Sequence, residues 1–302
     1  MSKVLTAKDK ILLVPIWLLT ILPLKALFVF SDFLFLITYY VIKYRKKVVM
    51  DNLQKSFPDK GEKEIKRIAI RFYHYLCDYF LESVYLINMN EKECNRRYRY
   101  KNLELIDRFA SENRSVILAT SHFGNWDWAA NMAVNFPHKI YGIYKPLTSQ
   151  TFNSLFIDLR AKFGAVSTPL LQTIRVVLDA INNKELFALY LVADQRPLQK
   201  DLDYWTTFLN QETPILTGME KLAIRFDLPV VFFNMKRVKR GYYEIDLELL
   251  TETPKNSEPY EITEKYVRKV EQMIRKQPEC YLWSHKRWKY DPKVFNPKPD
   301  KE

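Results

Sequence analysis

Glycine is close to missing from this chain. Its 302 residues hold 6, where an average share of about 7% would give roughly 21. Each glycine that remains therefore marks a constrained stretch of backbone: Gly124, Gly164 and Gly218 lie in or beside the segments that carry chemistry, Gly241 reads as a hairpin turn and Gly61 as a loop. Cysteine is as sparse. Cys77, Cys94 and Cys280 are odd in number, far apart and without partners at metal-ligand spacing, so neither a disulfide framework nor a zinc site is implied, and a reducing, cytosolic environment is expected. No internal repeat, low-complexity tract or Gly/Ser linker divides the chain, and no zinc-finger, RNA-recognition or basic-zipper pattern is present. Nucleic acid is therefore not the expected partner.

Long apolar runs, by contrast, are present. Residues 11 to 30 are almost uninterrupted, broken by Pro15, Pro23 and Lys25, and residues 33 to 42 add a second run. About 20 apolar residues reach across a bilayer core, so the first run is just long enough, and Pro23, Lys25 and Asp32 predict a break before a second, interfacial helix. No small-x-small cleavage pattern follows, and the basic cluster at 43 to 47 fits a cytoplasmic membrane surface. The expectation is a membrane-associated segment over 1–43 and one domain over 44–302; a buried hairpin of a soluble protein fits the same pattern.

Forty-seven basic residues against 35 acidic give a net charge of +12, an attraction for anionic surfaces. Clusters such as Lys236-Arg237-Val238-Lys239-Arg240 and Lys286-Arg287 are expected to steer an anionic partner, while most of the 47 are ordinary solvated surface.

Beyond residue 43 the pattern alternates. A long helix is predicted over 62–89, strands over 116–120, 139–145, 186–193 and 229–236, and helices over 126–135, 150–163, 173–182, 216–226 and 260–276. This is the pattern of an α/β fold with a central sheet flanked by helices. His74 falls in the helical series Ile65, Ile68, Phe72, Leu76, Phe80 and reads as a core histidine; His138 follows Phe136-Pro137 in a turn.

The chemistry is concentrated in Thr120-Ser121-His122-Phe123-Gly124-Asn125-Trp126-Asp127-Trp128, directly after the apolar run 116–119. On one continuous helix His122 and Asp127 would point about 140° apart, so their pairing needs a strand-to-helix corner with Gly124 as its permissive residue and Asn125 as helix cap. Asp127 would then fix the imidazole tautomer and leave the other ring nitrogen free to deprotonate a hydroxyl. A buried histidine beside a helix-capping aspartate fits the same spacing.

Segment 121–130 resembles the His-x4-Asp/Glu block of the lysophospholipid acyltransferase superfamily, in the form found in bacterial lipid A biosynthesis acyltransferases. Further blocks match in order: Arg45-Lys46-Lys47-x4-Asn52-Leu53-x3-Phe57-Pro58, then Tyr144-Lys145-Pro146 and Arg160-x3-Gly164, then Ala193-Asp194-Gln195. At the carboxyl end, Pro278-Glu279-Cys280-Tyr281-Leu282-Trp283-Ser284-His285-Lys286-Arg287-Trp288 resembles the family's Pro-Glu-x-Tyr-x-Trp-x-His-x-Arg-Trp signature. The Phe-Pro-Glu-Gly-Thr block of the glycerolipid branch is absent. Two departures stand out: Asp127 where relatives often carry Glu, and Phe208-Leu209-Asn210 where they often read Phe-x-Gly, Asn being the residue that next best tolerates a left-handed backbone.

The resemblance implies a lysophospholipid-acyltransferase-like mixed sheet and transfer of an acyl chain from acyl carrier protein, or coenzyme A, to the hydroxyl of a β-hydroxyacyl chain on a lipid A precursor. His122 would be the base and Asp127 its orienting carboxylate. Arg160, Asn125, Lys145, Asp194 and Gln195 would bind substrate or the oxyanion, Arg160 because its planar donors suit phosphate and oxyanion alike. Neither metal nor cofactor is required. The expected location is the cytoplasmic face of the inner membrane, in contact with phospholipid. The same site could acylate another membrane-bound hydroxyl or amine, such as an aminolipid or pigment precursor; a catalytically inactive membrane-bound interaction protein is the reading outside enzymes.

Overall fold

Proline punctuates the amino end as the sequence predicts. In the computed structural model, which describes residues 7–296, helix α1 (Ala7–Thr20) stops before Pro23, whose fixed φ starts helix α2 (Leu24–Leu36), continued by a π-helical stretch, Ile37–Val41. Residues 1–6 and 297–302 lie outside the described part. Leu24–Val41 is long and apolar enough to cross a membrane. Leu24, Leu27, Ser31, Phe35 and Tyr39 form a buried stripe at helical spacing, packed on a later helix, while Val29, Phe30, Phe33, Leu36 and Tyr40 on the other side are exposed. A helix that is apolar all round has one face for protein and one that water does not suit.

Helix α3 (Lys46–Ser56) leads to the 24-residue helix α4 (Glu62–Tyr85), shorter at its end than the sequence predicts. Then come α5 (Glu91–Arg97), β1 (Tyr98–Lys101), α6 (Leu103–Ser111) and β2 (Val116–Thr120). After β2 the expected helix over 126–135 is split into a 3-10 turn, Trp128–Asn131, and one α-helical turn, α7 (Met132–Asn135). The chain alternates onward through β3 (Lys139–Tyr144), α8 (Gln150–Ala161), β4 (Val166–Pro169), α9 (Thr173–Asn182) and β5 (Phe187–Val192). The hairpin β6 (Trp205–Phe208) and β7 (Gln211–Pro214) precedes α10 (Gly218–Phe226), β8 (Val230–Lys239), β9 (Tyr242–Thr251) and α11 (Glu261–Lys276).

Seven strands form one mixed sheet in the order β1-β9-β8-β2-β5-β3-β4. β8, β2, β5, β3 and β4 are mutually parallel, β9 returns antiparallel to β8, and β1 runs parallel to β9. The expected α/β architecture is thus observed. Strands β2 and β5 are central and buried on both faces, which is why they read as unbroken apolar runs. The parallel strands deliver their following loops to one sheet edge, and those loops carry His122, Lys145 and Asp194. Ligands of open α/β sheets sit outside such carboxyl ends.

β1, β4 and the β6–β7 hairpin were not legible as strands: each has four residues, too short for a periodic signal. The hairpin turn carries Leu209 at φ 50° and Asn210 at φ 62°, the double left-handed geometry of a tight two-residue turn. Asn210 therefore does what a glycine would do there.

Candidate active site

β2 ends at Thr120, and the chain turns through His122 to Gly124 at φ +58°. A Cβ added at Gly124 would lie 2.3 Å from Met235 Sδ, so both the backbone angle and the close approach demand glycine. The corner is held from three sides. Asn125 is buried: its Oδ1 accepts from the Trp128 backbone N–H at 3.1 Å, at the start of a 3-10 turn whose cap residue is Asp127 and not Asn125, and its Nδ2 donates to Glu82 at 2.8 Å. With both ends engaged in the protein, Asn125 braces the corner.

Helix α4 supplies the second side through residues spaced along one face. Tyr75 donates to Gly124 O at 2.5 Å, Tyr79 to Asp127 at 2.6 Å and Ser83 to Asp127 at 3.2 Å, while Glu82 also accepts from Tyr243 at 2.7 Å. Burial raises the Glu82 carboxyl above the ordinary range, against the lowering effect of Arg237 and its two hydrogen bonds. These α4 residues were missed by sequence reasoning, although buried polar groups at i, i+4, i+7 and i+8 on an otherwise apolar helix face are a visible signal.

The carboxyl-terminal signature is the third side. Leu282 N–H donates to His122 O at 3.1 Å, Gly124 N–H to Cys280 O at 3.0 Å, and Phe123 bridges Tyr281. The block at 45–58 clamps this strap in turn: Arg45 donates to Ser284 O, Asn52 to Trp283 O and His285 O, and Phe57 meets Trp283 edge to face. Motifs more than 200 residues apart are one structural unit.

The partner of His122 is not the carboxylate the spacing suggested. Its Nδ1 lies 2.8 Å from Asp194 Oδ1, and its backbone N–H donates to the same oxygen at 2.9 Å. Asp194 is buried at the end of β5, beside β2 in the sheet. Burial would raise its carboxyl, but the His122 ring and the His122 hydrogen bonds outweigh that and hold it below the ordinary value. Arg287, buried nearby, adds a positive charge on the Asp194 side. Gln195 Nε2 lies 3.0 Å from His122 Nε2. With Asp194 accepting from Nδ1–H, Nε2 is the basic nitrogen, and the Gln195 amide donates to it.

Asp127 instead turns to Tyr79, Ser83 and Arg160, the last at 3.5 Å. The reason is topological. The corner aims Asp127 at α4 and α8, while the strand beside β2 brings Asp194 under the imidazole. Arg160, in the last turn of α8, also covers the Tyr144 and Phe156 rings. Arg160, Asp127, Tyr144, Lys145 and Trp126 line one cavity, and a second, apolar one continues past Trp126 between Ile140, Gly142, Ala165 and Val192. The Trp126 ring meets His122 edge to face with centroids 5.0 Å apart, so imidazole and cavities share one wall.

The remaining candidates separate. Burial raises the thiols of Cys77 to about 11 and of Cys94 and Cys280 to about 12, so none is an activated nucleophile. His74 is not in the core: its half-exposed ring stacks on Phe35. His138 is buried against Arg114 O. In the basic clusters Arg237 and Arg240 are bound to Asp78, and Arg287 is buried; Lys236, Lys239 and Lys286 remain exposed.

Against known protein families, residues 4–290 match the model described as bacterial lipid A biosynthesis acyltransferase. No curated protein matches.

Proposed function

The chain belongs to the bacterial lipid A biosynthesis acyltransferase family, and on that premise we propose that it moves a fatty acyl chain from an acyl carrier protein thioester to the hydroxyl of a β-hydroxyacyl chain on a lipid A precursor. The observation that carries the catalytic part is the His122 imidazole held at Nδ1 by buried Asp194, with Nε2 against the Gln195 amide. An incoming hydroxyl takes the place of the Gln195 amide at Nε2 and loses its proton there. The alkoxide attacks the thioester carbonyl, the C–S bond breaks, and the imidazolium returns the proton to the leaving sulfur. Asp194 fixes the tautomer and stabilises the imidazolium.

Arg160 is the donor best suited to a sugar phosphate or to the developing oxyanion. Asp127 and the Tyr144 ring fix its head, so Asp127 acts here as a positioning residue. Lys145, exposed on the same cavity, adds charge for an anionic acceptor. The apolar cavity beyond Trp126 suits an acyl chain. Location on the cytoplasmic face of the inner membrane accords with the basic stretch after the apolar helices and with a soluble carrier as donor.

Mass spectrometry of lipid A from cells with and without the protein tests the reading. The expected result is loss of one acyl chain, restored by the wild-type chain and not by His122→Ala. Unchanged lipid A together with an altered aminolipid or pigment would overturn the acceptor assignment, and full activity of His122→Ala would overturn the base.

A further inference from the structure

The loops leaving β3, β4 and β5 at the His122 edge share a feature that the catalytic reading leaves unused. Each has a Pro-Leu step with an exposed leucine: Pro146-Leu147, Pro169-Leu170-Leu171 and Pro197-Leu198. Leu171 is 99% exposed, Leu170 56%, Leu198 54% and Leu147 47%. Single exposed leucines are ordinary. Exposed leucines on three adjacent parallel strands' exits are an apolar rim, and proline's fixed φ limits how far each loop can fold its leucine back onto the protein. Exposed Lys145 and Lys200 and half-buried Arg196 stand in the same loops, with Asp201 beside them.

The rim is continuous in placement with the apolar amino end. The hairpin after β8 leaves the sheet at the same edge, and its Gly241 packs against Leu24 and Phe28 of α2. Arg240 at that tip donates to Asp32 at 2.7 Å and to Phe28 O at 3.0 Å. The first turns of α2, through the hairpin tip, and the leucine rim thus both lie toward the carboxyl edge of the parallel strands, where Leu147 also lines the Arg160 cavity.

We propose that this rim docks onto an anionic phospholipid surface, inserting Leu147, Leu171 and Leu198 so that the cleft opens toward the bilayer. The occupant is a membrane because apolar tips flanked by lysine and arginine match acyl chains beneath anionic headgroups, and because the surface adjoins a helix whose free face is itself apolar. The orientation lets a lipid acceptor reach His122 without leaving the membrane; that consequence rests on the proposed function, whereas the docking does not.

Leu171→Cys and Leu198→Cys in the full chain can each be labelled with an environment-sensitive fluorophore, because Cys77, Cys94 and Cys280 are all buried. The protein is bound to phosphatidylglycerol–phosphatidylcholine vesicles carrying spin-labelled lipid. Both positions are expected to be quenched strongly. Asn183→Cys, exposed between α9 and β5 at the opposite sheet edge, is expected not to be. Equal quenching at all three positions, or none at 171 and 198 in vesicle-bound protein, overturns the proposal. A fluorescence change that follows protein concentration in lipid-free detergent also overturns it, in favour of a second copy on the rim. No substrate is present, so failure of the acyl-transfer reading leaves this result unchanged.

Discussion

Replacing Asp194 by Asn keeps the size of the side chain but offers His122 Nδ1 an amide in place of a buried carboxylate. We expect turnover to fall by roughly 100-fold or more, the usual cost of disabling a general base, with little change in the Michaelis constant for the donor. Asp127→Asn should act differently, because its partners are Tyr79, Ser83 and Arg160: a raised Michaelis constant for the acceptor and a lower melting temperature. Equal kinetic signatures would show that both carboxylates serve the imidazole. Gly124→Ala combines a left-handed φ, which costs roughly 1–2 kcal/mol for a residue with a Cβ, with the contact to Met235; a lower melting temperature partly restored by Met235→Ala is the expected result. His285 adds a pH signature. Burial outweighs Asp194 and lowers its pKa from 6.5 to about 4. Between those values the unfolded chain binds a proton that the folded one does not, so this residue makes stability fall as pH drops from about 6.5 to about 4. Thermal denaturation of His285→Gln across that range should show a shallower pH dependence than wild type.

Helix α4 is the element on which the site depends, since one face braces residues 124–127 while the next turn earlier receives the amino-terminal helix. Asp78, buried on α4, accepts from Ser31 of α2 and from Arg237 and Arg240 of the β8–β9 hairpin. Removing the Asp78 charge leaves the largely buried Arg237 without its carboxylate, while Arg240 keeps Asp32; breaking a buried pair typically costs 3–5 kcal/mol, that is, about 4 kcal/mol. Asp78→Asn should therefore loosen α2 and make the segment 37–45 sensitive to protease. Charge reversal at Arg240 should do the same, which makes it a poor test of carrier docking; reversing Lys236 and Lys239 tests that cleanly, since both are exposed.

On the scale of the whole molecule, the second amino-terminal helix is packed into the core. Leu24, Leu27, Phe35 and Tyr39 belong to the same buried cluster as the sheet residues, and fully burying such side chains stabilises by about 1.5–3 kcal/mol each. Deleting residues 1–43 is expected to expose that core and give an aggregating or strongly destabilised chain, whereas deleting 1–22 should leave the core intact and weaken vesicle binding. Melting curves and vesicle co-sedimentation of the two truncations check this. A well-folded 44–302 fragment would show that α2 contributes little to the core.

Strands β2, β3, β5 and β8, helices α8 to α11 and the Gly241 turn could be read directly, because buried parallel strands are written as apolar runs and amphipathic helices as a 3.6-residue period. Local chemistry was legible for the same reason: the corner at Gly124 and the left-handed Asn210 are backbone demands satisfied within a few residues. The partner of His122 was not, because the choice between Asp127 and Asp194 is made by strand order. The parallel pairing of β2 with β5 sets a residue 72 positions away beneath the imidazole, while the residue five positions away turns to α4. The four-residue strands, the pairing of Arg240 with Asp78, the burial of Arg287 and the joining of the 45–58 block to the carboxyl-terminal strap were likewise decided by tertiary structure. Each depends on which surfaces meet, and a linear pattern records what a residue can do without recording what it will face.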